Sequence, residues 1–307
     1  MESWEKRYLT LHPEDKELIE KNFHLPDMEL YLGDDALVPA QRIYDDILKS
    51  VPREKIPLPF PGLNVLMGGG FLPNDFVIIS GATKMGKTLF MAQIANFWPD
   101  KTLFLALEDT VQEQLRREYE KYNIVTNPPY FSFTKRPKNG FTLDWLKLKI
   151  IEGMQKFNIN KVIIDNLDWI EGGEDYKKNK EILRTLKQWC DDFNILIVLV
   201  VHIKGDSAYA FGTKRPDIQS IKGGSHIYQM GTKVILLWRV LTVQDDKKIE
   251  AGYTKVILAL DRHSGALEQD THVKYNQGKF EEISNDEYLQ LKGTYVAKKK
   301  KVEEMKW

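Results

Sequence analysis

The sequence has a single cysteine in 307 residues, no excess of charge of either sign, and no long apolar run. One cysteine excludes an internal disulfide and a cysteine-based metal centre, and Cys190 falls on the apolar stripe of a predicted helix, so we expect it in the core. The 44 basic and 44 acidic residues leave no global field that would indicate a partner. Without a signal segment or a span of about 20 apolar residues, we expect a cytoplasmic protein with no membrane partner.

The length suits one large domain with appendages, or at most two domains. Residues 1–38 are polar with scattered aromatics and predict an N-terminal arm. Residues 39–55 contain one amphipathic helix, with Ile43, Tyr44, Ile47 and Leu48 on a single face, which requires a surface to dock on. The main domain is predicted at 56–285, and 286–307 is predicted to be a flexible charged tail.

Short apolar runs alternate with helical patterns through the main domain. The strands are predicted at 76–80, 102–107, 161–165, 195–201, 233–239 and 253–260. Runs such as "KVIID" and "ILIVLVV" are continuously apolar, which is typical of a parallel sheet buried on both faces. We therefore predict an α/β fold with a mostly parallel twisted sheet flanked by helices, and "THVKYNQGKFEEI" predicts a C-terminal β-hairpin.

The stretch "FVIISGATKMGKTLF" contains G-x-x-x-x-G-K-T between an apolar strand and a helical pattern. Glycines let backbone N–H groups turn towards phosphates, and the helix N-terminus adds partial positive charge. The lysine reaches the terminal phosphates and the threonine hydroxyl ligates Mg²⁺. We predict ATP and Mg²⁺ as cofactors, with a nucleotide-binding loop of Gly81, Ala82, Thr83, Lys84, Met85, Gly86, Lys87 and Thr88.

Three polar residues end three successive predicted strands. Asp165 closes "KVIID" and is expected to hold Mg²⁺ together with Thr88. Glu108 closes "TLFLALE" and is expected to deprotonate the attacking water, since Asn166 stands where many P-loop enzymes have that glutamate. His202 closes "ILIVLVVH" and is predicted to sense the terminal phosphate, although a lone histidine there is also compatible with a structural role.

A long polar segment follows His202, and loops of this length inside a domain are usually functional or disordered. We predict that it contacts single-stranded DNA through its cations, with Tyr209 and Phe211 available for base stacking. The loop "EGGEDYKKNK" after Asp165 is a second candidate of the same kind. The predicted DNA-binding residues are Lys204, Lys214, Arg215 and Lys222.

The motifs GATKMGKT, LALED, KVIIDNLDWI, NILIVLVVHIK, IKGGSHIYQMGTKVILLWR and LALDRHSGAL stand in the order of the RecA-like ATPase domain of DnaB-type replicative helicases. The sequence resembles that family over about residues 56–283, and is most similar to the helicase half of phage primase-helicases. The resemblance implies a hexameric ring on single-stranded DNA, with the helix at 40–50 packed on a neighbouring subunit. It also implies catalytic roles for Lys87, Glu108, His202 and Arg262, the last as an arginine finger acting in trans.

Two departures limit what the resemblance implies. Leu260 stands where the family commonly has a lysine two residues before the finger, so that phosphate contact in trans is not expected. The sequence also lacks zinc-binding cysteines and the residues for an amino-terminal collar, so we expect a primase, loader or polymerase to be a separate chain.

We therefore predict an ATP-dependent helicase motor of phage or plasmid origin, acting in the bacterial host cytoplasm. Two alternatives share the nucleotide site. A RecA- or RadA-like recombination ATPase would form filaments and pair strands without unwinding them. An ATP-dependent scaffold or loader would assemble with nucleotide and hydrolyse it independently of DNA.

Overall fold

The computed structural model describes residues 37–98, 101–109, 111–113, 116, 120, 130–173, 175–204, 214–244, 247–265 and 268–304. Most of the predicted arm and the predicted stacking residues Tyr209 and Phe211 lie outside these ranges. The chain divides into two units, Met1–Arg53 and Glu54–Trp307.

In chain order the helices are α1 (Ala40–Lys49), α2 (Pro61–Leu66), α3 (Lys87–Phe97), α4 (Leu143–Phe157), α5 (Tyr176–Asp192), α6 (Gly224–Met230) and α7 (Asn285–Glu304). The strands are β1 (Phe76–Gly81), β2 (Thr102–Ala106), β3 (Lys161–Asp165), β4 (Leu196–His202), β5 (Lys233–Gln244), β6 (Lys247–Asp261), β7 (Gln269–Asn276) and β8 (Lys279–Glu282). Short 3₁₀ helices lie at Leu167–Trp169 and Ile218–Ser220.

One eight-stranded sheet organises the second unit, in the order β2-β3-β4-β1-β5-β6-β7-β8. The first five strands in this order are parallel, and β6, β7 and β8 continue the sheet as antiparallel neighbours. The prediction of an α/β fold with a mostly parallel sheet is confirmed. The carboxyl ends of β1 to β4 therefore meet at one edge, where open α/β sheets bind their ligands.

Both faces of the parallel sheet are buried, as the continuous apolar runs predict. On β1, Ile78 faces a core that also contains side chains of α4, α5 and α6, while Val77 faces a second core with α2 and α3. Cys190 is fully buried in the first core, as expected, and burial raises the pKa of its thiol far above the ordinary value. It is a packing residue.

Helix α1 in the first unit coincides with the predicted amphipathic helix. It has no buried residue, and its four apolar side chains are 49–66% exposed. Ser50 ends the helix, and its hydroxyl donates a 2.7 Å hydrogen bond to the carbonyl oxygen of Ile47. Across the described ranges, no helix is both long enough and apolar enough to cross a membrane.

The C-terminal region agrees with one prediction and contradicts another. Strands β7 and β8 form the predicted hairpin, with a turn at Gln277 and Gly278, both of which have positive φ. The expectation of a flexible charged tail is wrong, because α7 extends from Asn285 to Glu304. Tyr288, Leu291 and Tyr295 recur at helical spacing and pack against a small apolar cluster on β5 and β6.

Candidate functional site

The predicted nucleotide-binding loop joins β1 to α3. Gly81 ends β1, and Gly86 precedes the first helical residue with φ of +85°, in the left-handed region. A Cβ at Gly86 would also lie 2.8 Å from Cζ of Phe280, and one at Gly81 would lie 2.7 Å from the carbonyl oxygen of Leu237. Both positions therefore require glycine for reasons of space, and at Gly86 also for its backbone conformation.

Lys87 is 6% exposed and its ammonium group lies inside the loop. Nζ donates hydrogen bonds to the carbonyl oxygens of Gly81 (2.8 Å) and Ala82 (3.0 Å). Burial lowers its pKa to about 8, although the carboxylates of Asp165 and Glu108 favour the charged form. A charged ammonium that has only neutral carbonyl partners is ready to exchange them for the phosphates of a nucleotide.

Asp165 and Thr88 form the candidate magnesium site. Asp165 is 3% exposed, and burial raises the pKa of its carboxyl group to about 6, against the effect of a hydrogen bond from Thr88 and the charge of Lys87. The described residues contain no group of three His, Cys, Asp or Glu side chains that could hold a metal ion. Mg²⁺ is commonly held by one or two protein oxygens together with substrate phosphates. A buried carboxylate and a hydroxyl fit that donor set.

The burial of Asp165 predicts that its ionised carboxylate lowers the free energy of unfolding. Its pKa is higher in the folded state than the ordinary 3.8, so the cost of ionising it is fully present above about pH 6 and fades as the pH falls towards 4. We expect Asp165→Asn to raise the free energy of unfolding at about pH 7.5 by up to about 3 kcal/mol. Urea unfolding without nucleotide or metal, with Asp46→Asn as an exposed control, measures this. A difference that does not shrink at about pH 4 would contradict it.

The predicted base and sensor lie beside this site and share a partner. Asn166 Nδ2 lies 2.8 Å from Glu108 Oε2 and 3.1 Å from His202 Nε2. Glu108 is exposed and therefore accessible to a water molecule. Burial is the main cause that lowers the pKa of His202, and the charge of Lys87 acts in the same direction, so the imidazole is neutral at pH 7. The structure thus brings together the ends of β1, β2, β3 and β4.

The four predicted DNA-binding cations have different partners in the structure. The backbone N–H of Lys222 donates to the carbonyl oxygen of His202 (3.0 Å), and that of Lys204 donates to Ser220 (2.8 Å), so both lysines lie next to the sensor. Lys222 Nζ is paired with Asp168 Oδ1 at 2.9 Å. Arg215 instead lies 3.6 Å from Glu268, just before β7. Lys214 is exposed and belongs to the same short segment as Arg215.

Arg262 lies at the opposite edge of the sheet from the nucleotide loop. It follows the last residue of β6, which pairs with Lys233 at the start of β5, and its backbone N–H donates to Thr232. Strand β1 has six residues, and at about 3.3 Å per residue the two edges are roughly 20 Å apart. The guanidinium group donates to the carbonyl oxygens of Tyr228, Gln229 and Gly231 at the end of α6. It therefore cannot reach the nucleotide loop of its own chain.

A buried ionic network supports the turn that carries Arg262. Lys233 is fully buried and its Nζ lies 2.6 Å from Asp261 Oδ1, which also accepts the backbone N–H of His263. His263 Nε2 lies 2.7 Å from the buried carboxylate of Asp75. Burial opposes ionisation of Asp261, but its bond to Lys233 holds its pKa below the ordinary value. Leu260 is 6% exposed and belongs to the core.

A cavity of about 270 Å³ opens beside the nucleotide loop. Lys84 to Gly86 form one wall, and the other lining residues are Leu89, Arg239, Thr254, Tyr275 and Phe280. Tyr275 is 48% exposed, and Arg239 is paired with Glu250 across the β5–β6 hairpin. The volume is close to the lower end of the about 300–1,000 Å³ that is typical of small-molecule pockets. The cavity was not predicted from the sequence, because β5 and β7 are brought to the loop only by the sheet.

Comparison with solved structures defines the class of fold. A structure described as a DnaB-like replicative helicase and its interactions with primase has a TM-score of 0.63 and 16% identity, covering 91% of this chain and 76% of that one. A KaiC-like protein from Pyrococcus horikoshii has a TM-score of 0.53 and 17% identity, covering 76% and 100%. Another solved ATPase domain has a TM-score of 0.64 and 17% identity, covering 82% and 100%. The fold is therefore that of RecA-like P-loop ATPase domains.

Sequence comparison makes the resemblance more specific. A protein from Trieres chinensis described as a probable replicative DNA helicase is 25% identical over 235 residues, which are 63% of this chain and 50% of that protein. The chain thus spans about half the length of this curated relative. No family model matches. The chain resembles DnaB-type replicative helicases in sequence and in fold.

Proposed function

We propose that this chain is an ATP-dependent DNA helicase motor of the replicative type, which moves along single-stranded DNA as a ring. The observation that carries the proposal is the edge formed by β1 to β4, where the nucleotide loop, Asp165, Glu108 and His202 meet. Fold and sequence similarity to replicative helicases support it.

In the proposed reaction, Lys87 leaves the carbonyl oxygens of Gly81 and Ala82 and binds the terminal phosphates. Asp165 and Thr88 would hold Mg²⁺, which would supply positive charge against the phosphate oxygens. Glu108 accepts a proton from water as the water oxygen bonds to the γ-phosphorus and the bond to the ADP oxygen breaks. His202, whose backbone is bonded to Lys222, would sense loss of the γ-phosphate.

The position of Arg262 supports assembly into an oligomer. The finger lies at the sheet edge opposite its own nucleotide loop, so its action on a terminal phosphate requires a second copy of the chain. A head-to-tail interface that repeats in this way either closes into a ring or continues as a filament, and we propose the ring. The exposed apolar face of α1 is proposed to pack on a neighbouring subunit, and six subunits and cytoplasmic action remain predictions.

We propose that the cavity beside the nucleotide loop receives the nucleotide base, stacked on Tyr275. We expect Tyr275→Ala to raise the KM for ATP about fivefold with little change in kcat, because aromatic stacking contributes about 1 kcal/mol beyond buried area. Steady-state ATPase measurements with Phe97→Ala as an exposed aromatic control test this. An unchanged KM would place the base elsewhere.

Steady-state ATPase activity with and without single-stranded DNA tests the proposed function, with duplex DNA and RNA as controls. We expect strong stimulation by single strands and unwinding of a forked duplex. Strand pairing without unwinding would favour a recombination ATPase. Turnover that no nucleic acid changes would favour an ATP-dependent scaffold or loader, and would also contradict the assignment of the cations near His202.

The partners of this chain are proposed from its similarity to a replicative helicase. One similar structure is described together with its primase, and we propose that a separate primase, loader or polymerase acts with this chain.

A further inference from the structure

Asn166 is a buried amide between two of the predicted site residues. It is 1% exposed and immediately follows Asp165. Its Nδ2 atom contacts the Glu108 carboxylate at 2.8 Å and the His202 ring at 3.1 Å. Asn166 stands where many P-loop enzymes have the catalytic glutamate, and its contacts with Glu108 and His202 indicate a different role for this position.

The orientation of the Asn166 side-chain amide is fixed by a hydrogen bond to its oxygen, Oδ1. Asn166 precedes the 3₁₀ helix Leu167–Trp169, and its Oδ1 accepts the backbone N–H of Asp168 at 3.0 Å. A flipped amide would lose this cap and would direct its oxygen at the carboxylate of Glu108. The two hydrogens of Nδ2 therefore supply one bond to Glu108 and one to His202.

This geometry also locates the proton on His202. Because Asn166 Nδ2 is a donor, His202 Nε2 must be an acceptor, which places the single proton of the neutral ring on Nδ1. An imidazolium would present an N–H to the amide hydrogens and break the contact. Burial disfavours the charged ring, which agrees with a neutral imidazole. His202 Nδ1 is buried and has no hydrogen-bond partner among the described residues, so the contact with Asn166 decides the tautomer.

We propose that Asn166 is a positioning residue that holds the Glu108 carboxylate and the Nδ1-protonated ring of His202 in one hydrogen-bonded set. The role of Glu108 in this set rests on the proposed function. A displacement of His202 on β4 is transmitted through Asn166 to the base. The same set is linked to the predicted DNA-binding segment, because Lys222 is bonded to the His202 backbone and to Asp168.

Asn166→Asp tests the proposal with almost no change in shape. Aspartate keeps the oxygen that accepts the backbone N–H of Asp168, since it is as good a cap as asparagine. It removes the two N–H groups that donate to Glu108 and His202, and its negative charge repels the Glu108 carboxylate. We expect kcat to fall about 10- to 100-fold, the effect of losing a hydrogen bond to a charged group, with the KM for ATP within about twofold. The matched control is Asn179→Asp, another asparagine that is 1% exposed. If Asn166→Asp does not fold, Asn166→Ala replaces it with the same expectation.

Nitrogen-15 NMR of the His202 ring shows which ring nitrogen carries the proton. That position would not change if Asn166 served only as a cap on the 3₁₀ helix. We expect the proton on Nδ1 in the wild-type chain and on Nε2 in Asn166→Asp, where it would bond to the new carboxylate. A wild-type ring protonated on Nε2 overturns the proposed contact. Wild-type kcat in Asn166→Asp, in an assay where Glu108→Gln is inactive, overturns the positioning role alone. A wild-type chain without ATPase activity overturns the proposed function, and the ring proton still decides the contact.

Discussion

Glu108→Gln is expected to lower ATP turnover by about 10²- to 10⁴-fold, the range that a positioned general base contributes. Glutamine has nearly the shape of glutamate but accepts no proton from water. The residue is exposed two positions beyond the end of β2 and lies beside Asn166, not in the nucleotide loop. Binding of ATP depends on Lys87, Thr88 and the backbone of that loop, so we expect affinity for ATP to stay within about threefold.

Turnover and binding must be measured separately to establish this. Single-turnover hydrolysis reports the chemical step, and equilibrium binding of a fluorescent ATP analogue reports affinity. Glu113→Gln is the control, because Glu113 is an exposed glutamate five positions along the chain whose partner is the neighbouring Arg116. If Glu108→Gln retained more than about a tenth of the wild-type rate, another group would have to be the base.

The meeting of the candidate site residues at one place was predictable from sequence, because a parallel sheet collects the carboxyl ends of its strands at one edge. Asp165 and His202 each end a continuously apolar run, Glu108 follows one, and the order of strands does not affect which edge they reach. The nucleotide loop was predictable for a similar reason, since its glycines are required by local backbone conformation and space.

What sequence did not predict depends on contacts between distant residues. Asn166 and Glu108 are 58 positions apart, and nothing in the local pattern of either indicates their hydrogen bond. The buried ion pair of Lys233 and Asp261 could not be predicted either, because each residue lies at the end of an apolar run, where a charged side chain usually reaches solvent. The cavity beside the nucleotide loop depends on the antiparallel pairing of β5, β6 and β7.

The expectation for the tail failed for a different reason. The high density of charge in residues 286–307 suggested a flexible, solvated segment. The three apolar residues Tyr288, Leu291 and Tyr295 are sufficient to place one face of α7 on the β5–β6 surface, where Tyr288 also stacks on His272 with ring centroids 3.7 Å apart. Periodicity within a charged segment therefore outweighed its composition.

Arg262→Ala is expected to reduce ATPase activity by about 10³-fold or more, the contribution of an arginine finger. The loss should act on the neighbouring subunit, because Arg262 and the nucleotide loop lie at opposite edges of the same sheet. In the structure the side chain is bonded to the end of α6, so it must leave these carbonyl oxygens to reach a phosphate. Arg184→Ala, an exposed position on α5, is the control.

Mixing two inactive variants separates action in trans from simple damage to α6. A nucleotide site at a subunit interface is complete when an Arg262→Ala chain supplies Glu108 and the neighbouring Glu108→Gln chain supplies Arg262. In an equal, random mixture of the two variants, about a quarter of all interfaces in a head-to-tail ring are complete in this way. The mixture should therefore recover activity that neither variant shows alone. Loss of the bonds to α6 lowers stability in the Arg262→Ala chain whether or not it is mixed, and thermal unfolding measures that effect separately. If the mixture remained as inactive as its components, Arg262 would act only within its own chain, as a cap on α6.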